Sequence, residues 1–506
     1  MPASNSIPLH NGQAVDVEQI PVLKINAFRN SVIDAVKSGM RIASLFVAPS
    51  NHDHLRLFAV LADDNAGTLF VLSSDVADKY PALTPDCTQA HLFEREIAEQ
   101  WPVVPEGHPW LKPVRFHSPY LAGPDEGRKS EDHAAPSVMD FFRVAGEQVH
   151  EVAVGPVHAG IIEPGHFRFQ CHGERVLNLE ISLGYQHRGI ERALLGGPDK
   201  RTLHYMQTIA GDTTIGHTTA YCQLAESLSG DTVSPRAQSL RGIALELERV
   251  ANHSGDLGAL AGDVGYLPTS SFCGRIRGDF LNMTALMCGS RFGRGQVLPG
   301  GVGFDMTAQD SDLLAEKLAR SLKDLTVAAD LLWNTPSVLA RFEDTGSLQA
   351  QMCRELGMVG VPARACGVQI DCRFNFPAGM YRFAQIHVST GNTGDVFARA
   401  FVRWLEVQRS IAFIRDQLEA LPEGRIKTQT KPLSPHKFGV SLVEGWRGEI
   451  CHVGMTGPDG SLCHYKIVDP SFHNWTGLAM ALRNQQISDF PLCNKSFNLS
   501  YCGHDL

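Results

Sequence analysis

Apolar residues in the first fifth of the chain fall in short runs separated by polar turns, a pattern typical of strands. A stretch with helical spacing precedes these runs. Another follows them, and after it comes a turn that contains Gly107 and Pro109. The pattern predicts a small α/β unit over residues 22–118, with helices at 32–37 and 92–97 and strands at 42–47, 55–61 and 68–72.

From about residue 150 to residue 506 the spacing of apolar residues is mainly helical. Residues 395–415 are apolar on all sides, which is typical of a helix buried in a bundle. Residues 239–250 form another predicted helix, whose apolar face carries Leu240, Ile243, Leu247 and Val250. The sequence therefore predicts the α+β class, with a small α/β unit followed by a mainly helical one.

Two segments lack a clear period. Residues 1–20 are polar, and we expect a flexible tail there. Residues 119–148 are rich in Gly, Pro, Ser and charged residues, which is the composition of a linker. The predicted division is therefore a tail, a unit over 22–118, a linker over 119–148 and a unit over 150–506.

Composition narrows the classes of function. Net charge is −9, and no long Lys/Arg run occurs, which excludes typical nucleic-acid binders. The sequence has no run of about 18 or more apolar residues and no pattern of a signal peptide. None of the 12 cysteines stands in a Cys-x-x-Cys pair, so we expect free and mostly buried thiols. We expect the chain to stay on the cytoplasmic side of the cell membrane, where it is made.

Several separated motifs in the second unit carry a family resemblance. They begin with residues 155–169 (Gly-Pro-Val-His…Glu-Pro-Gly-His-Phe-Arg-Phe) and 184–191. Later motifs lie at 241–253, 291–302, 361–368, 444–449 and 470–475, with Cys366 where the family has Ser. Together they resemble the large subunit of membrane-bound, energy-converting [NiFe] hydrogenases, which is also the quinone-site subunit of respiratory complex I. The resemblance implies a hydrogenase-large-subunit-like domain over 150–506 with a small β-sheet at its start.

The first unit carries a resemblance of its own. Residues 94–96 (Glu-Arg-Glu) and 107–111 (Gly-His-Pro-Trp-Leu) resemble the small complex I subunit that docks beside the quinone-site subunit. Residues 101–103 (Trp-Pro-Val) depart from the aromatic–glycine step usual between the two motifs. The chain thus resembles a fusion of these two subunits, and the alternative is an unrelated helix and turn.

The nickel ligands of the hydrogenase branch are missing. In that branch two Cys-x-x-Cys pairs bind nickel and iron, because soft thiolates suit these metals. We located the four nickel-ligand positions by aligning residues 217–221 and 496–499 with the family's motifs. None of the residues at these positions has a thiol, and Cys502 lies out of register. We therefore expect no nickel–iron centre and no other metal ligands in this chain. The four aligned positions are Ala210, Thr213, Ser500 and Gly503.

The quinone ligands of the complex I branch are also missing. The resemblance places the quinone His at Ile162 and the quinone Tyr at Gly211. Nearby polar residues could bind a quinone carbonyl or relay protons instead. As catalytic candidates we take Glu163, His166, Asp212 and His217, and as cofactor-binding candidates His158, Tyr205, Thr213 and Thr214.

Four further assignments concern titratable residues. Glu163 and His166 form either a proton-passing pair at the mouth of a cavity or a solvated loop with a structural His. Arg364 matches an arginine of the hydrogenase metal cavity and is a fifth catalytic candidate, the alternative being an ordinary ion pair. We expect Arg188 and Glu191 to form a buried pair facing the partner. Solvated or paired surface charges are expected at Asp371 and Arg373.

These features predict a peripheral-arm subunit of an ion-translocating oxidoreductase complex, active only within that complex and related to NADH:quinone oxidoreductase and hydrogenase. The resemblance implies a small iron–sulfur subunit carrying a cluster, a ferredoxin-like iron–sulfur subunit, and antiporter-like and other membrane subunits as partners. A metal-free cavity beside the cluster would take an acceptor such as a quinone. No Gly-rich dinucleotide fingerprint follows a strand, so any role of NADH would belong to a partner. The alternatives are a [NiFe] hydrogenase large subunit of the formate hydrogenlyase type and a catalytically silent coupling subunit.

Overall fold

The computed structural model describes residues 5–50, 54–120, 139–157 and 162–506. The first unit is built on an antiparallel sheet in the order β1-β6-β5-β4, and the short β3 pairs with β6 in parallel. The long strands of this sheet are mostly apolar and almost fully buried. The elements of the first unit are β1 (Ile7–Leu9), β2 (Gln13–Asp16), β3 (Val22–Leu23), α1 (Ile25–Lys37), β4 (Arg41–Pro49), β5 (Leu55–Asp63), β6 (Thr68–Val76), β7 (Lys79–Pro81), α2 (His91–Gln100) and β8 (Val104–Glu106).

The prediction of a flexible tail is wrong for residues 5–20. Strand β1 pairs with β6, and β2 pairs with a strand at residues 437–444, where Val15 lies opposite Phe438. Both strands are too short for a periodic pattern, and their partners are distant in sequence. Most of the predicted linker, residues 121–138, lies outside the described residues.

The second unit starts with a three-stranded antiparallel sheet, β9 (Val149–Val154), β10 (His166–His172) and β11 (Arg175–Ser182). Helices follow: α3 (Ile190–Ala193), α4 (Thr202–Met206), α5 (Thr214–Ser229), α6 (Pro235–Asp263) and α7 (Leu267–Cys288). A two-stranded turn, β12 (Val297–Leu298) with β13 (Gly301–Val302), precedes a second run of helices. These are α8 (Ala308–Trp333), α9 (Pro336–Phe342), α10 (Ala350–Leu356), α11 (Gly360–Ala365), α12 (Cys372–Asn375) and α13 (Val396–Glu419).

Helix α6 forms the centre of the helical bundle. The Ser234 hydroxyl accepts a hydrogen bond from the Ala237 N–H, and Pro235 occupies the first turn, so the start of the helix is capped. Nearly every side chain of its middle section is buried, and the helix packs against α7 and α13. The predicted helices at 239–250 and 395–415 correspond to α6 and α13, and the predicted α+β class is confirmed.

The chain closes with a sheet and three helices. Strands β14 (Lys437–Glu444), β15 (Glu449–Thr456) and β16 (Leu462–Val468) extend through β2 into a four-stranded sheet. Helices α14 (Pro470–Ala481), α15 (Phe490–Phe497) and α16 (Tyr501–Asp505) follow. One hydrophobic core includes side chains of β4–β6 together with Phe438, Val453 and Phe472. The first unit therefore shares its core with this late sheet.

The motif at residues 94–96 faces inward. The guanidinium of Arg95 donates to the Lys112 carbonyl at 2.7 Å and lies over the Trp110 ring, which fixes the turn that follows α2. Glu96 accepts from Lys466 on β16 at 2.6 Å, and both side chains are buried. Arg41 on β4 likewise donates to Glu449 on β15 at 2.6 Å. Buried ion pairs thus connect the first unit to the late sheet.

Candidate functional site

Asp212 lies in the turn before α5, at the surface. Its carboxylate forms two hydrogen bonds with the guanidinium of Arg447, at 2.6 and 2.8 Å. Its backbone carbonyl accepts from Trp446 Nε1 and Asn252 Nδ2. Burial alone would raise the pKa of Asp212, but Arg447 holds it below the usual value. The side chain of Asp212 is still 34% exposed, so this ionised carboxylate faces outward from the chain.

His217, one turn into α5, belongs to a buried chain of hydrogen bonds. Its Nε2 lies 3.0 Å from the Asp469 carboxylate, and its Nδ1 lies 3.1 Å from Nε2 of His452. His452 Nδ1 is 2.8 Å from the Tyr465 hydroxyl. With both rings neutral, every donor has one acceptor: Tyr465 donates to His452, His452 to His217, and His217 to Asp469.

The electrostatics agree with that proton arrangement. Burial lowers the pKa of His452 well below its ordinary value, which keeps the ring neutral. Burial would raise the pKa of Asp469, but the hydrogen bond from His217 and the charge of Arg447 lower it. Asp469 is therefore an ionised carboxylate at the inner end of the site, and Asp212 is its counterpart at the outer end.

A third carboxyl group, Glu248 of α6, lies at the start of α5. It accepts hydrogen bonds from the backbone N–H groups of Ile215 and Gly216, at 2.7 and 3.1 Å. Burial raises the pKa of Glu248 to about 8, although these two hydrogen bonds oppose the shift. A group that titrates near neutral pH can exchange protons during turnover.

The positions aligned with the nickel ligands lie around this cluster. The Thr213 hydroxyl accepts from Arg447 at 3.1 Å, and the Ser500 hydroxyl accepts from the Gly503 N–H at 2.9 Å. A Cβ atom on Gly503 would lie 2.6 Å from Oδ2 of Asp469 and 2.8 Å from the Ser500 hydroxyl. Thr213 and Ser500 present hydroxyl oxygens, which are hard donors, and Ala210 and Gly503 present no donor, so these four side chains do not suit a nickel–iron group.

Across the described ranges, no group of three or more His, Cys, Asp and Glu side chains is arranged to hold a metal ion. Eleven of the 12 cysteines are buried or half-buried and all are free thiols. Cys502 is half-buried, and burial with the nearby Glu163 raises its pKa to about 11.

Glu163 is close to this cluster. Its carboxylate accepts from the backbone N–H groups of Tyr501 and Cys502, at 3.2 and 3.4 Å, at the start of α16. The Cys502 carbonyl in turn accepts from Arg188, which also binds the Ile209 carbonyl, two residues before Gly211. The structure thus brings Glu163 to the same face as the Asp212 turn.

Comparison with known proteins agrees with this arrangement. Residues 263–439 match the family model described as "Respiratory-chain NADH dehydrogenase, 49 Kd subunit". The carbon monoxide-induced hydrogenase of Rhodospirillum rubrum is 31% identical over 352 residues, which cover 69% of this chain and 97% of that protein. Formate hydrogenlyase subunit 5 of Escherichia coli is 29% identical over 84% of this chain and 76% of that protein. NADH-quinone oxidoreductase subunit 4 of Thermus thermophilus is 27% identical over 68% of this chain and 90% of that protein.

This chain belongs to the large-subunit family of energy-converting hydrogenases and complex I. The assignment made from the motifs is confirmed. Its relatives are subunits of hydrogenase and NADH-quinone oxidoreductase assemblies. Among the residues that the structure describes, none of the helices has the length and apolar character needed to cross a membrane.

The remaining large-subunit candidates occupy different places. His166 lies in β10 and is buried, which fits a structural His but not a position in a solvated loop. Its Nδ1 is 3.3 Å from the Gly155 carbonyl, its Nε2 accepts from Arg168, and burial lowers its pKa. Tyr205 is half-buried on α4, and the Thr214 hydroxyl donates to the Gln207 carbonyl at 3.1 Å. His158 lies outside the described residues.

The two positions aligned with the quinone ligands, Ile162 and Gly211, differ in their surroundings. Ile162 is half-buried and packs against the main core. Gly211 is exposed, and a Cβ atom there would meet no atom within 4 Å. The turn at Gly211 therefore faces open space beside Asp212, where a ligand or a partner could lie.

Arg364 is at the centre of a separate buried ion network. It binds Glu406 at 2.8 Å and Glu444 at 2.6 Å, and all three side chains are almost fully buried. No ion pair between described residues joins Arg364 directly to Asp212 or His217. Asp371 and Arg373, expected at the surface, are buried members of this network and bind each other at 2.6 Å. The prediction failed because charged side chains are rarely buried unless several distant elements pair them.

The expected pair of Arg188 and Glu191 does not form. Arg188 is exposed and donates to the backbone carbonyls of Thr208 and Ile209. Glu191 is buried and binds Lys466 at 3.0 Å. The two side chains diverge because short helix α3 turns Glu191 toward the late sheet.

Sequence reasoning also missed site residues. Arg447 and Asp469 lie within or next to the motifs at 444–449 and 470–475, so the motifs could have indicated them. His452, Tyr465 and Glu248 carry no motif, and only the fold brings them to α5.

Proposed function

We propose that this chain is the peripheral-arm large subunit of a membrane-bound, ion-translocating oxidoreductase, with a metal-free acceptor site at the Asp212 turn. The observation that carries the proposal is an ion cluster of Asp212, Arg447, Asp469 and His217 beside the four aligned thiolate positions, none of which is a cysteine in this chain. The cluster is buried at Asp469 and open at Asp212.

The open side of the cluster suits a partner subunit. Gly211 and Arg188 are exposed, Asp212 is partly exposed, and Glu163 is half-buried on the same face. A small iron–sulfur subunit placed here would enclose a cavity between the two proteins. Its cluster would supply electrons one at a time to an acceptor held in that cavity.

The polar groups of this chain would handle protons for the acceptor. Reduction of a quinone to a quinol takes two electrons and two protons. Glu248, with a pKa of about 8, can release a proton close to neutral pH. Asp212 and Asp469 are ionised and bound to Arg447 and His217, so they would orient donors and stabilise positive charge.

Charge changes in the acceptor site would reach other parts of the complex through the turns that hold the cluster. A negative charge on the acceptor would compete with Asp212 for Arg447. Since Arg447 also donates to the Asn498 carbonyl, a shift of its guanidinium would move the segment before α16, which Glu163 caps. We propose that this movement couples electron transfer to ion transfer in antiporter-like membrane subunits. The same membrane subunits would hold the chain at the cytoplasmic face of the membrane.

The test is a triple variant of the assembled complex, Asp212→Asn with His217→Gln and Glu163→Gln. We expect assembly to persist, because each change keeps a hydrogen-bonding side chain of similar size, and electron transfer and ion pumping to fall together. A matched control is Asp199→Asn, which changes an exposed carboxylate that binds Arg201. Unchanged electron transfer and pumping in the triple variant would overturn the proposal.

One observation favours a second candidate, a catalytically silent coupling subunit. Both carboxylates of the cluster have strong partners within this chain, as they would in a purely structural ion network. In that case the triple variant would lose assembly or stability, and an added quinone analogue would not bind. The hydrogenase alternative is disfavoured by the contacts that close the Gly503 position.

A further inference from the structure

Several surface segments of the second unit meet where α6 begins. The guanidinium of Arg236, in the first turn of α6, donates to the carbonyls of Met306 and Pro422, both at 2.8 Å. Side chains at the same helix start line a groove of about 480 Å³, whose other wall is the segment 379–383. We call the surface formed by these segments the α6 entry face: residues 231–236, 294–306, 379–383 and 422–431.

The α6 entry face carries six basic and three acidic residues, in a chain whose net charge is −9. Of the acidic residues, Asp305 binds Arg236 at 2.8 Å. Asp231 lies 3.8 Å from the ammonium group of Lys431. The third, Glu423, is exposed. The other four cations are exposed and form no ion pair with a carboxylate that the structure describes: Arg294, Arg382, Arg425 and Lys427.

Two aromatic rings of this face are exposed next to the free cations. Phe383 follows Arg382 and is 79% exposed at the edge of the groove, and Phe304 is 44% exposed. A Cβ atom on Gly295, the neighbour of Arg294, would lie 3.6 Å from the Phe304 ring. Basic side chains attract the phosphates of anionic lipids, and aromatic rings beside them enter the boundary between headgroups and acyl chains.

We propose that the α6 entry face binds the surface of an anionic phospholipid bilayer. The four free cations contact headgroup phosphates, and the rings of Phe304 and Phe383 insert below them. A fluid lipid surface accommodates two protruding rings without a matching pocket, which an acidic protein partner would have to supply. Since the rest of the chain is strongly negative, an anionic membrane repels it and orients this face inward.

This lipid contact is additional to the membrane subunits of the proposed function and does not depend on the acceptor site. Flotation of the full chain with vesicles tests it. We expect flotation with vesicles that contain about 30 mol% phosphatidylglycerol, none with pure phosphatidylcholine, and release as the salt concentration rises from about 0.05 to 0.5 M. Equal flotation with both vesicles, or no flotation with either, would overturn the proposal. Retention on polyglutamate without flotation would overturn it in favour of an acidic protein.

A charge variant tests which cations bind. Arg382→Gln, Arg425→Gln and Lys427→Gln in one chain should lower the apparent affinity for anionic vesicles by at least about tenfold, because each basic residue near such a surface contributes about fivefold. A matched control makes the same change of charge on α8, at exposed cations without an ion pair to a described carboxylate, and should stay within about twofold of wild type. Its changes are Lys317→Gln, Arg320→Gln and Lys323→Gln.

A second variant tests the rings. Phe383→Ser should weaken binding about fivefold and keep its dependence on salt, because the change removes exposed apolar area but no charge. All of these substitutions are at exposed positions, and circular dichroism checks that each variant is folded. Wild-type affinity in the charge variant or in Phe383→Ser, or an equal loss in the α8 control, would overturn the assignment of this face.

Discussion

Gly503 offers the sharpest test of how closely the nickel-ligand position is filled. It lies in α16, where an alanine would ordinarily be favoured over glycine by about 1 kcal/mol. Its added Cβ would instead lie 2.6 Å from Oδ2 of Asp469. That oxygen cannot swing away freely, because it is the acceptor for Nε2 of His217 at 3.0 Å. The Gly503→Ala variant should therefore be less stable, against its helix propensity.

The magnitude follows from two opposing effects. Overpacking in a close-packed interior costs about 1–3 kcal/mol, and displacing Asp469 weakens a charge-assisted hydrogen bond of about 1.5–3 kcal/mol. Subtracting the helix gain of about 1 kcal/mol leaves a net loss of roughly 1.5–5 kcal/mol. For a chain of this length, that corresponds to a fall in the thermal midpoint of roughly 1.5–5 °C.

The assay is thermal unfolding followed by circular dichroism, with Gly274→Ala as the matched control. Gly274 is also helical, on α7, but a Cβ atom there would meet nothing within 4 Å, so this change should raise the midpoint slightly. In an Asp469→Ala background the contact with Oδ2 of Asp469 is absent and the 2.8 Å contact with the Ser500 hydroxyl remains, so Gly503→Ala should then cost less. Equal or higher stability of Gly503→Ala in the wild-type background would refute the reasoning.

Three other predictions concern buried charges. Burial lowers the pKa of His464 to about 4, against about 6.5 in an unfolded chain. The unfolded chain therefore binds more protons between these values, and stability present above pH 6.5 is lost as pH falls, by about 2 kcal/mol at pH 5. His464→Phe keeps the ring stacked on Phe46. This variant should raise the thermal midpoint above that of the wild type by more at pH 5 than at pH 8. An equal difference at both pH values would contradict the prediction. Arg364→Met leaves buried carboxylates unpaired and should lower the free energy of unfolding in urea by about 3–5 kcal/mol. Arg364→Lys should lower it by less. A wild-type urea midpoint for Arg364→Met would count against the network. Glu248→Gln should remove a step near pH 8 from the pH dependence of electron transfer in the complex, and an unshifted profile would exclude Glu248 as the titrating group.

Local patterns predicted the long elements of the fold. Strands β4 to β6 were found within a few residues, because apolar runs of that length between polar turns have few other interpretations. Helix α1 begins earlier than predicted, at Ile25, since Phe28 continues its buried face. Strands β1 and β2 were missed, because their pairing partners are distant in sequence and their own pattern is too short.

The candidate site was predicted in part. The motif alignment selected Asp212, Thr213 and His217, which the fold brings together with Glu163 at one face. The partners of these residues, Arg447 and Asp469, come from segments more than 200 positions away. The motifs at 444–449 and 470–475 lie at or beside these partners, but no local pattern shows which residues pair over such distances. For the same reason the buried network around Arg364 could not be anticipated.

The most direct test of the central claim is elemental analysis of nickel and iron in the purified complex and in this subunit expressed alone. We expect iron in the complex, no iron in the lone subunit and no nickel in either, because the thiolate positions are occupied by Ala210, Thr213, Ser500 and Gly503. Stoichiometric nickel in the complex would contradict the account and would mean that this chain is the large subunit of a working hydrogenase.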